Sequence, residues 1–383
     1  FNSYVEASAR PYPRAYVSNI EFFVQDNWKL ARRLTLDAGM RFYHLPQSFV
    51  GSNEVAGFLP SAYDPSRAVK LIQPVRVGNQ RRGGHPVTGE TYPVNFIGAM
   101  APGVGDSANG MISPSLDKNV PRSLMRTPGL LLAPRVGFAW DVFGNGKSAI
   151  RGGFGMFYNR MAQGQVLYPF TTQPPIVQTP NIFFGTMSGL LASSGVLFPS
   201  NVQGLDPGNG IPRVMNYSFN IQQNLGFGTV VDIGYVGSLG RHLLWQRNIN
   251  YVPLGANFRP ENIDPTTNTA LPPSFLRPYI GYNNINISEP ASSSNYHSLQ
   301  VTANRRFARG LEFGAAWTWS KSMDFNSGDG GAVSIQVPIR EWNYGLSTYD
   351  RTHVLKVNWL YDLPRAPVTN PVLKGVLNDW QVS

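Results

Sequence analysis

Residues 134–160, PRVGFAWDVFGNGKSAIRGGFGMFYNR, contain two alternating runs joined by Gly144, Asn145 and Gly146. Asn-Gly is a strong hairpin signal, because both positions of the turn tolerate a positive φ. In each run, apolar side chains alternate with polar or small ones, so the two faces of the strand differ. Each run has about ten residues or more, against about five or six in an ordinary soluble strand. That length is typical of a tilted strand that crosses a bilayer.

The composition of the whole chain is that of strands and turns. The 383 residues are 14% charged and 12% aromatic, with 39 Gly and 31 Pro and no Cys. About a quarter of the residues of a soluble domain are charged. No apolar stretch reaches the roughly 18 residues of a spanning helix, which excludes a helical membrane protein. A membrane barrel needs only alternate apolar residues and remains compatible. The absence of Cys excludes a disulfide scaffold and a thiolate metal site.

The net charge of +10 raises the question of nucleic acid. The basic residues are dispersed, and the tight groups are only pairs, such as those at 32–33, 81–82 and 305–306. No basic helix, zinc-finger spacing or aromatic-basic RNA motif is present, so no nucleic-acid partner is predicted. Charge inside a pore, or contact with anionic headgroups of lipid and lipopolysaccharide, is the favoured use.

The lengths of the connections between the predicted strands follow a regular order along the chain. Alternating runs predict strands at 17–29, 33–43, within 134–160, at 213–225, 229–248, 294–307, 311–321 and 351–361, and a further one from 379. The connections between them are short and long in strict turn, with long loops at about 44–129, 161–212, 249–293 and 322–349. Outer-membrane barrels have short periplasmic turns and long extracellular loops. The predicted fold is therefore all-β, an antiparallel up-and-down transmembrane β-barrel, partial at about ten strands and occupying residues 1–383 as one domain.

The strand pattern also predicts which side chains face the lumen. Aromatic residues gather near strand ends, as interfacial girdles do, although a soluble β core would also contain them. An Arg or Lys on the lipid face at mid-depth costs roughly 2–4 kcal/mol, so strand charges are expected on the lumen face. The predicted lumen-facing charges are Asp37, Arg41, Arg135, Asp141, Arg151, Asp232, Glu312 and Lys356.

Several strand sequences resemble a known family. The matching phrases lie at 23–43 (FVQDNWKLARRLTLDAGMRFY), 133–160, 216–225, 231–243, 295–324 (NYHSLQVTANRRFARGLEFGAAWTWSKSMD) and 349–364. They are similar to the barrel of TonB-dependent receptors, in particular the Oar-like subgroup that carries a carboxypeptidase-regulatory-like domain. The resemblance implies a 22-stranded barrel closed by an N-terminal plug. It also implies import of scarce, large solutes with energy relayed by TonB.

The resemblance covers most of the predicted strands, but the family's plug, its TonB box and its last strands have no counterpart in these residues. We therefore expect an internal or C-terminally truncated portion of such a receptor, and contact with the TonB complex only through the missing N-terminal region. The transported solute, whether of the siderophore, oligosaccharide or peptide class, is unresolved, and so are the residues that bind it. A passive porin-like channel and a surface-binding or adhesion barrel remain open as alternatives.

No motif predicts catalysis, a cofactor or a firm metal site. Gly146-Lys147-Ser148 ends like a phosphate-binding loop, but Asp141 stands where the motif requires Gly, and a strand pattern follows where it requires a helix. Residues 324–331 resemble part of a calcium loop without the EF-hand spacing or its bidentate Glu. The five His are scattered and form no local ligand pair. The chain is therefore not predicted to be an enzyme.

Overall fold

The computed structural model describes residues 1–190, 195–208, 210–308 and 310–383. The predicted turn at 308–310 and the predicted loop at 161–212 include residues 309, 191–194 and 209, which lie outside the described residues. Within the described residues, ten strands follow one another through a single antiparallel sheet. They are β1 (Ile20–Ala31), β2 (Leu34–His44), β3 (Leu131–Asp141), β4 (Ser148–Tyr158), β5 (Arg213–Gly226), β6 (Thr229–Asn248), β7 (Tyr282–Ala308), β8 (Leu311–Asp324), β9 (His353–Asp362) and β10 (Gln381–Val382).

Each strand of this sheet pairs with the strands before and after it in the chain, which confirms the predicted antiparallel, up-and-down fold. Successive strands pair with each other whether a short turn or a long loop joins them. The sheet is open, with β1 at one edge and β10 at the other. The ten strands therefore form an open sheet with two unpaired edges.

The hairpin at the centre of the sequence argument has a different turn from the predicted one. The ladder between β3 and β4 runs from Arg135 paired with Gly155 to Asp141 paired with Ala149. Gly144 and Gly146 have φ of 72° and 70°, whereas Asn145 is not among the residues with positive φ. The predicted hairpin between the two runs is confirmed, but the positive φ expected at Asn145 is wrong. The turn is longer, and the Asp141 carboxylate accepts hydrogen bonds from the backbone N–H groups of Gly144 and Gly146.

The third long loop is shorter than predicted. The strand expected to begin at residue 294 begins at Tyr282, so the last part of the predicted loop 249–293 belongs to β7. A strand of the second loop, Ser200–Leu205, pairs in parallel with this extension, from Tyr282 to Ser288. The pairing partner is remote in sequence, so the local pattern alone did not reveal it.

The loops contain short elements of their own. The additional strands are Ser3–Val5, Ala15–Tyr16, Phe49–Val50, Gly57–Phe58, Gln73–Val77, Gln80–Gly84, Thr91–Tyr92, Met111–Ile112, Asn181–Phe183 and Gly345–Leu346. The α-helices of the described residues are Gln163–Val166, Pro273–Leu276, Ile339–Asn343 and Pro371–Leu377. The 3-10 helices are Pro60–Ala62, Pro65–Arg67, Val94–Phe96, Tyr168–Thr171, Ala256–Phe258 and Pro260–Asn262. None of the helices in the described residues has the length and apolar character needed to cross a membrane.

The buried apolar core lies chiefly in the loops and not on the sheet. One cluster joins the first and second long loops through residues such as Val55, Met125 and Phe170, each at most 1% exposed, and includes Leu244 of β6. A second cluster packs Phe58 and Val202 against Tyr282 at the start of β7. The long loops therefore form a packed cap at one end of the sheet.

Candidate functional site

The register of the sheet separates an apolar face from a polar face. Side chains paired across a ladder lie on the same face, and successive side chains alternate between faces. On the apolar face, Ile233 of β6 pairs with Val301 of β7, which pairs with Trp317 of β8. Large apolar side chains of this face are open to solvent, including Val24, Val136, Phe219, Ile233, Leu355 and Trp359. A continuous, exposed apolar surface of this kind marks contact with lipid or protein.

The opposite face carries all eight charges singled out in the sequence. Asp37 pairs with Gly137, which pairs with Gly153, and the same face continues through Ser218 to Val236. The remaining charges lie on this face as well, because each is paired across a ladder with one of its residues or lies an even number of residues from one along the same strand. That it lines a lumen stays a prediction.

Four of these eight charges have protein partners. Arg41 contacts Glu21 at 2.5 Å, and Asn27 Nδ2 donates to Asp37 Oδ1 at 2.6 Å. The Arg135 guanidinium lies 4.7 Å from the centre of the Phe157 ring. The fourth is Asp141.

The carboxylate of Asp141 belongs to the hairpin turn. Its two oxygens accept the N–H groups of Gly144 and Gly146 at 2.9 and 3.0 Å. Its charge is therefore used in closing the short connection, and a role toward solute is not required to explain it.

The other four charges have no hydrogen-bond or ion-pair partner among the described residues. They are Arg151, Asp232, Glu312 and Lys356. Neutral or small residues lie opposite them, such as Asn220 opposite Arg151 and Ala316 opposite Lys356. Unpaired charges are tolerated where water reaches them, so this face is suited to an aqueous path.

A cavity of about 370 Å³ lies where the loop ends of β4 to β8 meet the cap. Its apolar wall includes Phe157, Val214 and Leu244, and its polar wall includes Asp324 and Tyr349. Phe157 and Val214 pair with each other on the polar face of the sheet. The cavity is thus continuous with the face that carries the charges.

The most deeply placed charge of this cavity is Asp324, which is 6% exposed. The Ser327 hydroxyl donates to both carboxylate oxygens, at 3.2 and 2.9 Å, and Tyr349 Oη donates to Oδ2 at 3.5 Å. No cation of the described residues pairs with Asp324. A buried carboxylate held only by hydroxyl groups can accept hydrogen bonds from a polar or cationic solute.

Residues 324–331, which resemble part of a calcium loop, do not form a set of calcium ligands in the described part of the chain. No group of three or more acidic, His or Cys side chains there could hold a metal ion. Asn326 Oδ1 accepts the Gly328 N–H, and its Nδ2 donates to the Ala332 carbonyl. These groups serve the loop's own turns.

An ion pair between two long loops was missed by the sequence argument. Arg81 Nη2 donates to Asp264 Oδ2 at 2.7 Å, and Arg81 Nε donates to Thr266 Oγ1 at 2.9 Å. The Asp264 side chain is 2% exposed and also accepts from the backbone N–H of Thr266. The pair at 81–82 was visible as two adjacent arginines, but its partner lies 183 residues away.

The Arg81–Asp264 pair makes the cap sensitive to acid. Burial works to raise the pKa of Asp264, but hydrogen bonds from Thr266 and Arg81 outweigh it and hold the pKa below its ordinary value. A lowered folded-state pKa contributes stability that is present above the unfolded value of about 3.9 and is lost as the pH falls through the folded value. We expect hydrogen-exchange protection of residues 73–84 and 262–271 to fall below about pH 3.9.

The Asp264→Asn variant tests this prediction. It should have lower protection than the wild type at pH 6 and a flatter dependence on pH. Asp117→Asn, which changes an exposed loop carboxylate, is the matched control and should behave as the wild type. An Asp264→Asn variant with an unchanged pH profile would contradict the assigned role of the pair.

A family model described as "Outer membrane beta barrel domain" matches residues 1–383. No curated protein matches the chain.

Solved structures similar to this chain include three transporters or receptors. The "Copper transporter OprC" is 11% identical over 92% of this chain and 34% of its own, with a TM-score of 0.38. The FrpB iron transporter from Neisseria meningitidis is 11% identical over 91% of this chain and 42% of its own, with a TM-score of 0.36. The siderophore receptor PiuA from Acinetobacter baumannii is 7% identical over 91% and 31%, with a TM-score of 0.39. The chain spans between 31% and 42% of the length of these structures.

Proposed function

Because the chain belongs to the outer membrane beta barrel domain family, we propose that it forms part of the wall of a barrel that transports solute across the outer membrane. It is integral to that membrane. The separation of the two faces carries the proposal: the exposed apolar face contacts lipid, and the charged face lines the path of the solute. In membrane barrels, lipid-facing and lumen-facing residues alternate along each strand in the same way.

The finer proposal is a TonB-dependent receptor of the Oar-like subgroup. It is supported by the strand phrases at 23–43, 133–160 and 295–324, which follow one another in the family's order. The open sheet supports the proposal that these residues are a portion of the barrel. The unpaired edges of β1 and β10 leave backbone groups that a bilayer cannot satisfy, so further strands would complete the wall.

In this proposal the cap and its cavity receive the solute. The cavity lies at the loop end of the charged face, and Asp324 provides a buried acceptor there. The loops are packed around their own apolar clusters, so they hold this entrance in a defined shape. Arg151, Asp232 and Lys356 then line the wall below the entrance.

Transport is tested in cells that have or lack the full-length protein. Uptake of a ferric siderophore, a labelled oligosaccharide and a labelled peptide is compared in wild-type, gene-deleted and TonB-deficient cells. The proposal expects uptake of at least one probe to fall in both mutant strains. Uptake that requires the gene and not TonB would indicate a passive channel. Uptake that requires neither would indicate a surface-binding barrel.

The orientation of the two faces is tested by single cysteines. The chain has no Cys, and Ala315 and Ala316 are adjacent residues on opposite faces of β8. We expect a charged, water-soluble thiol reagent to label Ala316→Cys in the folded protein and to leave Ala315→Cys unlabelled, because lipid excludes the reagent. After denaturation both variants should react. The reverse pattern in the folded protein would invert the assignment of the faces.

A further inference from the structure

Near the cap, polar and aromatic side chains interrupt the apolar face of the sheet. Tyr217, Gly237, His297 and Lys321 form one lateral row on this face, since each pairs with the next across β5 to β8. The adjacent row toward the short turns is apolar and aromatic, with Tyr235, Leu299 and Trp319. The row that contains His297 and Lys321 is called the cationic row below. It lies at the boundary between the apolar face and the cap.

The ring of His297 is held in place by two tyrosines. Its Nδ1 lies 2.8 Å from Tyr235 Oη and 3.2 Å from Tyr217 Oη, and the ring stacks on Tyr235 at 18°. Gly237 makes this arrangement possible, because a Cβ there would lie 2.3 Å from the Tyr217 ring. His297 Nε2 has no hydrogen-bond partner among the described residues. A fixed ring with a free nitrogen is suited to bind a ligand.

Lys321 has no partner of opposite charge. It forms no ion pair or hydrogen bond with the described residues, and it lies opposite His297 in the ladder. Asp350 lies on the same cavity, but it accepts the Ser322 N–H at 2.7 Å and pairs with no cation. Arg241 adds a further positive charge, with its guanidinium donating to the Ser294 carbonyl at 3.0 Å and to Asn295 Oδ1 at 2.9 Å.

A cavity of about 490 Å³ opens beside the cationic row. His297 and Lys321 lie on its wall together with the apolar side chains of Leu299, Trp319 and Leu346. The Asp350 carboxylate on this wall accepts a backbone N–H, whereas Lys321 and His297 Nε2 are left to donate. An unpaired lysine beside apolar side chains is complementary to an amphiphile whose headgroup is anionic.

We propose that this cavity binds a phosphorylated glycolipid of the outer leaflet. The phosphate contacts Lys321 and His297 Nε2, and an acyl chain lies along Leu299 and Trp319. The inference rests on the proposed function, in which the apolar face contacts lipid and the cap lies outside the cell. In that orientation an unpaired lysine on the lipid face would be costly without a headgroup to neutralise it.

The test measures lipid binding to the purified full-length protein in detergent by native mass spectrometry. The probes are bisphosphorylated lipid A, its dephosphorylated form, and inorganic phosphate. We expect the wild type to retain phosphorylated lipid A, and the Lys321→Gln/His297→Gln variant to bind it about tenfold or more weakly, because the charge-assisted hydrogen bonds to the phosphate are lost. The single variant Lys321→Arg, which keeps the positive charge, should retain most of the wild-type binding. Lys147→Gln, in the exposed turn between β3 and β4, is the control and should bind as the wild type.

Each outcome has a distinct meaning. Equal binding of lipid A to the wild type and the double variant, with heat-modifiable migration intact in both, would overturn the inference. So would equal binding of the phosphorylated and dephosphorylated lipids, or competition by inorganic phosphate alone at the affinity of the lipid. If the labelling of Ala315→Cys and Ala316→Cys is as expected, any of these failures concerns the lipid site only and leaves the proposed function intact.

Discussion

Replacing Val301 with Arg is expected to prevent most of the full-length protein from assembling in the outer membrane. Val301 lies on the apolar face, between Ile233 and Trp317 in the ladders of β6 to β8. An Arg on the lipid face costs roughly 2–4 kcal/mol at mid-depth, a large part of the 5–15 kcal/mol that stabilises an ordinary folded domain. The measurement is the fraction of protein in outer-membrane preparations that migrates faster unboiled than boiled on a gel.

Thr302→Arg is the matched control for Val301→Arg. Thr302 is the next residue of β7, is also β-branched, and lies on the polar face opposite Asp232 and Ala316. Its replacement adds a cation to a face that already carries Arg151 and Lys356, so assembly should remain close to that of the wild type. Equal loss in the two variants would show that β7 cannot accept Arg on either face. Loss in Thr302→Arg alone would place lipid on the charged face.

Replacing Asn250 with Ala is expected to loosen the third long loop. Asn250 is fully buried, and the two N–H groups of its Nδ2 are shared among the carbonyls of Tyr279, Tyr282 and Asn283, at 2.8–3.1 Å. Its Oδ1 accepts the Tyr279 N–H at 2.8 Å. Each buried backbone group left unsatisfied costs about 1–3 kcal/mol, so local stability should fall by about 3 kcal/mol or more.

The effect of Asn250→Ala is measured as hydrogen-exchange protection across residues 249–281, between the end of β6 and the start of β7. Protection should fall there by about a hundredfold or more, while the ladder between β3 and β4 keeps its protection, because the loop can open without unfolding the wall. Asn257→Ala, which removes an exposed amide from the same loop, is the control. Unchanged protection in Asn250→Ala would mean that other contacts hold the loop.

The faces of the wall could be predicted because they follow from a local property. In a strand, successive side chains point to opposite sides, so the alternation in 33–43 and 311–321 assigns each residue to a face without any knowledge of its neighbours. The order of the strands could also be predicted, because the lengths of the connections between successive strands are read directly from the sequence. Which face contacts water and which contacts lipid remains for the experiments on Ala315, Ala316, Val301 and Thr302.

The cap could not be predicted, because its contacts join residues that are distant in the chain. The parallel pairing of Ser200–Leu205 with the start of β7, the ion pair between Arg81 and Asp264, and the buried hydrogen bonds of Asn250 have no periodic signal. The cationic row has the same origin. Tyr217, Gly237, His297 and Lys321 come from four strands, and only the register of three ladders brings them together.

The sequence by itself determined that the chain alternates between two unlike faces along long strands, and that short and long connections follow one another. Both are written in neighbouring residues, where the backbone geometry of a strand acts directly. Only the tertiary structure decided the form of the hairpin turn at 141–148, the start of β7 at Tyr282, and the packing of the loops into a cap. Those features depend on side-chain hydrogen bonds, pairing registers and buried contacts, which exist only once distant segments of the chain have met.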